Sequence, residues 1–212
     1  MMKKKKSIFI LFDLDGVILN SEKNMRLTWN KTKVKFKLNQ SFTKYKRYVG
    51  LPFNDILKKI NIKSNIDEIR KYYFKISKIN NYKLSLFPKV KDTIRDLEKK
   101  KIKYSIVTSK DKIRTNIIIN KFKLKPTSTH CPKKKLRGKP FPDQLNECLI
   151  KNKINKKKVE VFYVGDTYYD YKAANNCKIK FIFAAYGFGK SMRVYKNKIN
   201  NINQLLKIIE KI

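Results

Sequence analysis

Acidic residues, cysteines and histidines are scarce in this chain, and each shortage restricts its chemistry. The 212 residues include 16 Asp+Glu against 53 Lys+Arg, three Cys and one His. With His130 as its single histidine, the chain is a poor candidate for a histidine-based catalytic dyad or a zinc site. Cys131, Cys148 and Cys177 have no metal-ligand spacing and do not make an even disulfide set, which predicts reduced thiols in a cytoplasmic protein.

Long apolar runs are missing as well. No uninterrupted apolar stretch reaches the roughly 18 residues that a membrane-spanning helix needs, so we expect no membrane segment. The first residues, Met1 to Lys6, resemble the charged start of a signal peptide. The apolar stretch behind them contains Asp13 and Asp15 and lacks a small-residue cleavage site, which argues against a cleaved leader.

The shortage of acids leaves a formal net charge of +37. Such an excess is commonly a footprint of nucleic-acid or anionic-membrane binding. Only seven of the basic residues are Arg, and the Lys are spread along the whole chain rather than clustered. We therefore interpret the charge as a compositional bias towards lysine on solvated helix faces and expect no specific nucleic-acid partner. A nucleic-acid-associated protein remains the alternative from another functional class.

Two patterns divide the chain. Residues 21 to 82 read as helical throughout, with segments near 22–36, 41–48, 53–60 and 66–79. The apolar run Ile8–Phe12 and the region after Pro88 alternate strands and helices. Strands are predicted at 8–12, 102–107, 159–164 and 181–185, and helices at 89–101, 111–121, 169–177 and 203–211, with one more ending near 151. The segment around 125–136 is the least readable.

This rhythm predicts an α/β protein. Its core, residues 1–19 and 86–212, would be a doubly wound, Rossmann-like parallel sheet. The insert, residues 20–85, would be an all-α helical cap domain, because it is far longer than the dozen or so residues that a crossover needs. The alternative is one elongated crossover.

Polar side chains follow the predicted strands, where parallel sheets hold their ligands. Their chemistry suits phosphoryl transfer: a carboxylate can attack phosphorus, Mg²⁺ prefers carboxylate and phosphate oxygens, and a hydroxyl with a lysine can hold the remaining oxygens. Taken singly, Thr108 could be a strand-end cap, Lys139 one lysine among many, and Asp170 a helix N-cap. The set comprises Asp13, Asp15, Thr108, Ser109, Lys139, Asp166 and Asp170.

These residues stand in the order D-x-D-G-V, a strand ending in T-S, G-K-P-x-P-D, and G-D-T-x-x-D. That order resembles the haloacid dehalogenase superfamily of phosphatases. The stretch YVGDTYYDYKAANNCKIKFIFAAYGFG, from Tyr163, is similar to its phosphoglycolate phosphatase-like branch. The resemblance implies a Mg²⁺-dependent hydrolase of phosphoric monoesters that works through an aspartyl-phosphate intermediate. The family places a helical cap between its first two motifs, as read above for residues 20–85.

The resemblance also implies a role for each matching residue. Asp13 would be the nucleophile, and Asp15 the general acid and base that also binds the metal through its backbone carbonyl. Thr108, with Ser109 beside it, would bind the phosphoryl group. Lys139 would stabilise the charge of that group and orient Asp13. The metal ligands would be Asp13, Asp15, Asp166 and, through water or from a second layer, Asp170.

Two departures from the family pattern stand out. Lys178 occupies the position of a usual helix-ending glycine, which raises a question about local backbone geometry. The basic segment Thr127–Arg137 replaces an acidic loop and is expected to reshape the entrance to the site. For the substrate, a small phosphorylated metabolite is expected, either phosphoglycolate or a sugar phosphate, with Lys46 or Arg47 as candidates to meet a second anion. A sugar-phosphate mutase would share all four motifs, and either a monomer or a dimer fits the sequence.

Overall fold

The computed structural model describes residues 6–211, and its core is a six-stranded parallel sheet. The strands lie in the order β5-β4-β1-β6-β7-β8. They are β1 (Ser7–Phe12), β4 (Lys103–Val107), β5 (Thr129–His130), β6 (Val159–Gly165), β7 (Lys180–Ala184) and β8 (Lys198–Ile199). A separate antiparallel pair joins β2 (Leu19–Asn20) to β3 (Ser85–Leu86).

Helices cover both faces of the sheet. The helices of this part are α5 (Val90–Lys99), α6 (Lys112–Phe122), α7 (Asp143–Lys151), α8 (Tyr168–Asn176) and α9 (Leu205–Lys211). Successive residues of β1 point to opposite faces, as strand geometry requires. Ile10 belongs to a buried cluster with residues of α5, α6 and α9, whereas Leu11 belongs to a second cluster with residues of α7 and α8. The central strands are therefore apolar on both sides, which explains the continuous apolar run in the sequence.

Between β2 and β3 the chain is helical. It forms α1 (Glu22–Lys35), α2 (Phe42–Lys46), α3 (Phe53–Lys59) and α4 (Ile66–Ile79). These helices share a hydrophobic cluster of their own, separate from the two clusters of the sheet. Trp29 lies at its centre, fully buried and stacked on Tyr45 with ring centroids 4.5 Å apart.

The predicted fold class, an α/β core with an inserted helical segment, is confirmed, and the helix at 66–79 has the predicted bounds. The sequence did not reveal β5 and β8, because each has only two residues and carries no apolar run. Lys178, which follows the C-cap residue Cys177 of α8, has a left-handed φ of 55°. Among residues 6–211 no helix is both long enough and apolar enough to cross a bilayer.

Candidate active site

The predicted site residues meet beyond the carboxyl ends of β1, β4 and β6. Asp13 is the first residue after β1, and its backbone N–H donates to Val164 O of the neighbouring strand at 2.9 Å. Asp166 directly follows β6, and Thr108 directly follows β4. Since these three strands are adjacent in the sheet, their polar ends form one crevice.

Lys139 joins two carboxylates at the centre of this crevice. Its Nζ lies 2.6 Å from Asp13 Oδ1 and 2.6 Å from Asp170 Oδ1. All three side chains are buried. Gly138, the residue directly before Lys139, packs closely against Pro52. A Cβ on Gly138 would lie only 2.2 Å from Pro52 Cγ. Lys139 is therefore fixed by tertiary contacts and is not one solvated lysine among many.

Asp166 is enclosed by glycines. A Cβ on Gly16, which has a φ of +89°, would lie 2.1 Å from Asp166 Oδ2, and a Cβ on Gly187 would lie 2.4 Å from Asp166 Cβ. The backbone N–H of Phe188 donates to Asp166 Oδ2 at 2.6 Å. The other oxygen, Oδ1, is buried and has no hydrogen-bond partner among the described residues. Asp166 Oδ1 is thus available to bind a ligand.

Asp170 both caps a helix and belongs to the cluster. Its Oδ2 accepts hydrogen bonds from the N–H and the hydroxyl of Thr167, and the Asp170 N–H donates back to Thr167 Oγ1, which makes a capping box at the start of α8. Tyr163 Oη donates to Asp170 Oδ1 at 2.9 Å. With Lys139 on the same oxygen, both oxygens of Asp170 are engaged by protein groups.

Asp15 has two side-chain partners of its own. Ser21 Oγ donates to Asp15 Oδ1 at 2.6 Å, and Lys110 Nζ lies 3.0 Å from Asp15 Oδ2. Neither partner was predicted from the sequence. The carboxylate of Asp15 still borders the same cavity as Asp13, so the pair can serve two different tasks.

Thr108 and Ser109 complete the floor of the cavity. Thr108 is buried, and its Oγ1 accepts from the N–H of Lys110 at 3.2 Å. Ser109 Oγ donates to Gly50 O at 2.6 Å, which ties the end of β4 to the loop between α2 and α3. Within the basic segment Thr127–Arg137, Thr129 and His130 form an edge strand, in which His130 O accepts from the N–H of Thr108 at 3.0 Å.

Residues of the helical insert and of α6 form the remaining walls. The cavity has a volume of about 50 Å³. Lys46 and Arg47 do not line it: Lys46 pairs with Glu22 at 2.8 Å, and Arg47 borders a different cleft. The sequence offered no signal for the residues that do line it, since a lysine, an arginine and apolar side chains are unremarkable in this composition. These unforeseen lining residues are Met25, Tyr45, Val49, Leu51, Phe53, Ile56, Tyr73, Lys110 and Arg114.

Burial and crowding shift the proton affinities of the cluster. Burial raises the pKa of Asp13 to about 7 against the opposing charge of Lys139, and Asp170 and Asp15 add to the rise. Burial, together with Asp170 and Asp13, raises the pKa of Asp166 well above its ordinary value. Although burial favours a neutral lysine, Asp13 and Asp170 raise the pKa of Lys139 above its usual range. One ammonium faces three carboxylates, so full ionisation of the cluster would leave an excess of negative charge, and the raised pKa values reflect that crowding.

A divalent cation fits this excess. One carboxylate oxygen from each of Asp13, Asp166 and Asp170 lies within 4.8 Å of the others. The free Oδ1 of Asp166 supplies an unshared ligand, and an all-oxygen donor set suits a hard cation. The carboxylate of Asp15 is not part of this group of three.

Solved structures share this architecture. A predicted phosphatase from Clostridium acetobutylicum has a TM-score of 0.86 at 19% identity, covering 98% of this chain and 100% of its own. A haloacid dehalogenase-like family hydrolase from Streptococcus pneumoniae has a TM-score of 0.84 at 18% identity, covering 96% and 98%. A predicted phosphoglycolate phosphatase from Haemophilus somnus has a TM-score of 0.78 at 19% identity, covering 98% and 100%. No curated protein matches the chain.

At these identities the structures establish the fold, which is that of haloacid dehalogenase-like hydrolases. The family model described as haloacid dehalogenase-like hydrolase matches residues 10–184, a span that includes every predicted site residue. The chain therefore belongs to the haloacid dehalogenase-like hydrolase family. The predicted membership of this hydrolase family is confirmed.

Proposed function

We propose that the protein is a Mg²⁺-dependent phosphatase that hydrolyses a small phosphomonoester, such as phosphoglycolate or a sugar phosphate, through an aspartyl phosphate on Asp13. The observation that carries this proposal is the buried Asp13 carboxylate, fixed 2.6 Å from Lys139 Nζ and open to a cavity that it shares with Asp15. Membership of the hydrolase family and the phosphatase descriptions of two structural neighbours support it.

Asp13 acts as the nucleophile. Its Oδ1 is held by Lys139, so the carboxylate has one orientation towards the cavity. Attack on phosphorus forms the bond between the Asp13 carboxylate and phosphorus and breaks the ester P–O bond. This divides one difficult hydrolysis into two easier steps.

Asp15 moves the protons. It protonates the leaving alcohol oxygen in the first step. In the second step it takes a proton from the water that attacks phosphorus, and the bond between Asp13 and phosphorus breaks to release inorganic phosphate. Ser21 and Lys110 each hold one of its oxygens, at 2.6 and 3.0 Å, which keeps the carboxyl group oriented without removing it from the cavity wall.

Thr108, Ser109 and Lys139 bind the transferred phosphoryl group. The hydroxyl of Thr108 and the ammonium of Lys139 can donate to its oxygens as charge develops on them. The hydroxyl of Ser109 already donates to Gly50 O, so we assign phosphate binding to the backbone N–H of Ser109.

Asp13, Asp166 and the backbone carbonyl of Asp15 would hold Mg²⁺, with Asp170 supporting the ion through water. When bound, the ion neutralises charge that would otherwise repel an anionic nucleophile from a phosphate. The unpartnered Asp166 Oδ1 and the excess of carboxylates over ammonium groups support this assignment.

The domain division follows from the same proposal. Residues 20–85 would be the helical cap and residues 1–19 and 86–212 the catalytic core, meeting at the short β2–β3 pair. The separate hydrophobic cluster of the helical insert supports this division. The cap would close over the leaving group and exclude bulk water from the reaction.

The proposal is tested by measuring phosphate release from a panel of small phosphomonoesters. Turnover should require Mg²⁺, disappear in EDTA and return when Mg²⁺ is added back. Full turnover in EDTA would contradict the metal assignment. Release of phosphate from no substrate in the panel, with a folded protein and Mg²⁺ present, would contradict the phosphatase.

A further inference from the structure

The wall of the catalytic cavity contains one guanidinium group, that of Arg114 in α6. Arg114 is buried, although it belongs to a residue type that is almost never buried without a partner. The cap side of the same cavity is apolar apart from two hydroxyls, those of Tyr45 and Tyr73, which hydrogen-bond to each other at 3.0 Å. The guanidinium of Arg114 is therefore a charged hydrogen-bond donor that faces a mostly apolar wall of the cavity.

Three contacts fix the plane of this guanidinium. Nε pairs with the carboxylate of Asp111, the residue that caps α6. Nη1 donates to Ser77 Oγ of α4 at 3.3 Å, and the Cζ atom lies 3.9 Å from the centroid of the Phe74 ring. Arg114 is thus held between the core helix α6 and the cap helix α4.

These contacts leave one edge of the guanidinium available. Nη2 donates to no acceptor in the part of the chain that the structure describes. Lys110, the neighbouring cation in the cavity, is already paired with Asp15 at 3.0 Å. The protein contacts of the guanidinium use Nε and Nη1, so Nη2 is the donor left to meet oxygen acceptors of a ligand in the cavity. The rigid donors of an arginine match the spaced oxygens of a carboxylate or a phosphate.

We propose that Arg114 is a specificity-determining residue that binds a second anionic oxygen group, a carboxylate or a second phosphate, on the leaving group of the substrate. The proposal rests on the proposed phosphatase function, because it takes Asp13 as the site of phosphoryl transfer. Arg114 performs no proton transfer; it positions the leaving group. The cavity volume of about 50 Å³ favours a small leaving group.

Matched substrates test this assignment. Phosphoglycolate carries a carboxylate, phosphoglycolamide has the same size without the charge, and ethylene glycol bisphosphate carries a second phosphate. The wild-type protein should prefer at least one anionic substrate over the amide. Arg114→Gln should lower kcat/KM for that substrate by roughly 10- to 100-fold, mainly through KM, as expected for loss of a charge-assisted hydrogen bond. For the amide, kcat/KM should change less than threefold. Comparison of the two anionic substrates distinguishes a carboxylate subsite from a phosphate subsite.

The control is Arg95→Gln, which removes the same charge from an exposed arginine paired with Asp92. It should leave both kinds of substrate unchanged. A purely structural role of Arg114 would slow the charged and neutral substrates equally, and that result would overturn the proposal. If Arg114→Gln does not fold, Arg114→Lys, which keeps the charge and loses the planar set of donors, supplies the same comparison of ratios.

Binding separates this proposal from the proposed function. Calorimetry with the Asp13→Asn variant, alone and combined with Arg114→Gln, measures affinity for phosphoglycolate, the amide and the bisphosphate without turnover. Arg114-dependent preference for an anionic ligand, with no turnover of any substrate by the wild-type protein, would refute the phosphatase and retain the Arg114 subsite. Turnover without an Arg114-dependent preference for an anionic ligand would retain the phosphatase and refute the Arg114 subsite. Neither turnover nor binding would refute both.

Discussion

Replacing Gly16 with alanine should displace Asp166 and destabilise the protein. Gly16 has a φ of +89°, and a Cβ built on it lies 2.1 Å from Asp166 Oδ2 and 2.5 Å from Asp166 Cγ. Real Cβ atoms do not approach other heavy atoms this closely, so the carboxylate has to move. Its displacement breaks the 2.6 Å hydrogen bond from the Phe188 N–H to Asp166 Oδ2.

Two costs add up in this variant. A residue with a Cβ pays about 1–2 kcal/mol for left-handed backbone geometry. Losing a hydrogen bond to a charged group costs about 1.5–3 kcal/mol. We therefore expect Gly16→Ala to lower the free energy of unfolding by about 2.5–5 kcal/mol, a large share of the roughly 5–15 kcal/mol that holds a typical domain folded.

Urea unfolding followed by far-ultraviolet circular dichroism measures this loss, and a double-mutant cycle identifies its source. In an Asp166→Ala background the carboxylate that clashes with the new Cβ is gone. The cost of Gly16→Ala should then fall to the backbone term of about 1–2 kcal/mol. An equal cost in both backgrounds would refute the claim that Gly16 is required by its contact with Asp166. Calorimetry should also show weaker Mg²⁺ binding by Gly16→Ala than by the wild-type protein.

Three other measurements probe separate parts of the structure. Asp13→Asn should abolish phosphate release, whereas Asp15→Asn should slow it by roughly 10²- to 10⁴-fold; wild-type turnover by Asp13→Asn would disprove the nucleophile. Lys178→Gly should raise the free energy of unfolding by about 0.5–1 kcal/mol, because relief of the left-handed φ of 55° exceeds the entropic cost of glycine. Lower stability would contradict that account. Association with duplex DNA or RNA, followed by anisotropy, should be weak and should disappear near about 0.2 M salt. At that salt concentration, surface charges are screened beyond a Debye length of about 10 Å or less. Submicromolar binding that persists there, without phosphatase activity, would favour a nucleic-acid-associated protein.

Local patterns in the sequence were sufficient for the main elements. A strand buried on both faces must be apolar at every position, so β1 was visible as the run Ile8–Phe12. Asp111 identified the start of α6, where its side chain accepts from the N–H of Arg114 at 3.0 Å. The two-residue strands β5 and β8 were missed, because an edge pairing that short requires no particular residue type.

Part of the candidate site was also contained in the sequence. The carboxyl ends of adjacent parallel strands lie at one edge of a sheet, so the polar residues after β1, β4 and β6 had to converge once the fold class was known. Asp13, Thr108 and Asp166 do so. Asp170 takes part in capping α8, as the third residue of a capping box whose N-cap is Thr167, and it also pairs with Lys139.

Only the tertiary structure decided which side chains surround those residues. The partners Ser21 and Lys110 of Asp15, and the position of Arg114 between α4 and α6, depend on how the helical insert packs over the sheet. That packing joins residues far apart in the chain, such as Ser77 and Arg114, and no local periodicity encodes such a contact. In a chain with 53 basic residues, a lysine or an arginine acquires meaning only through its burial and its partners. The sequence thus determined the elements and the order of the motifs, and the packing of the insert on the sheet determined the walls of the cavity.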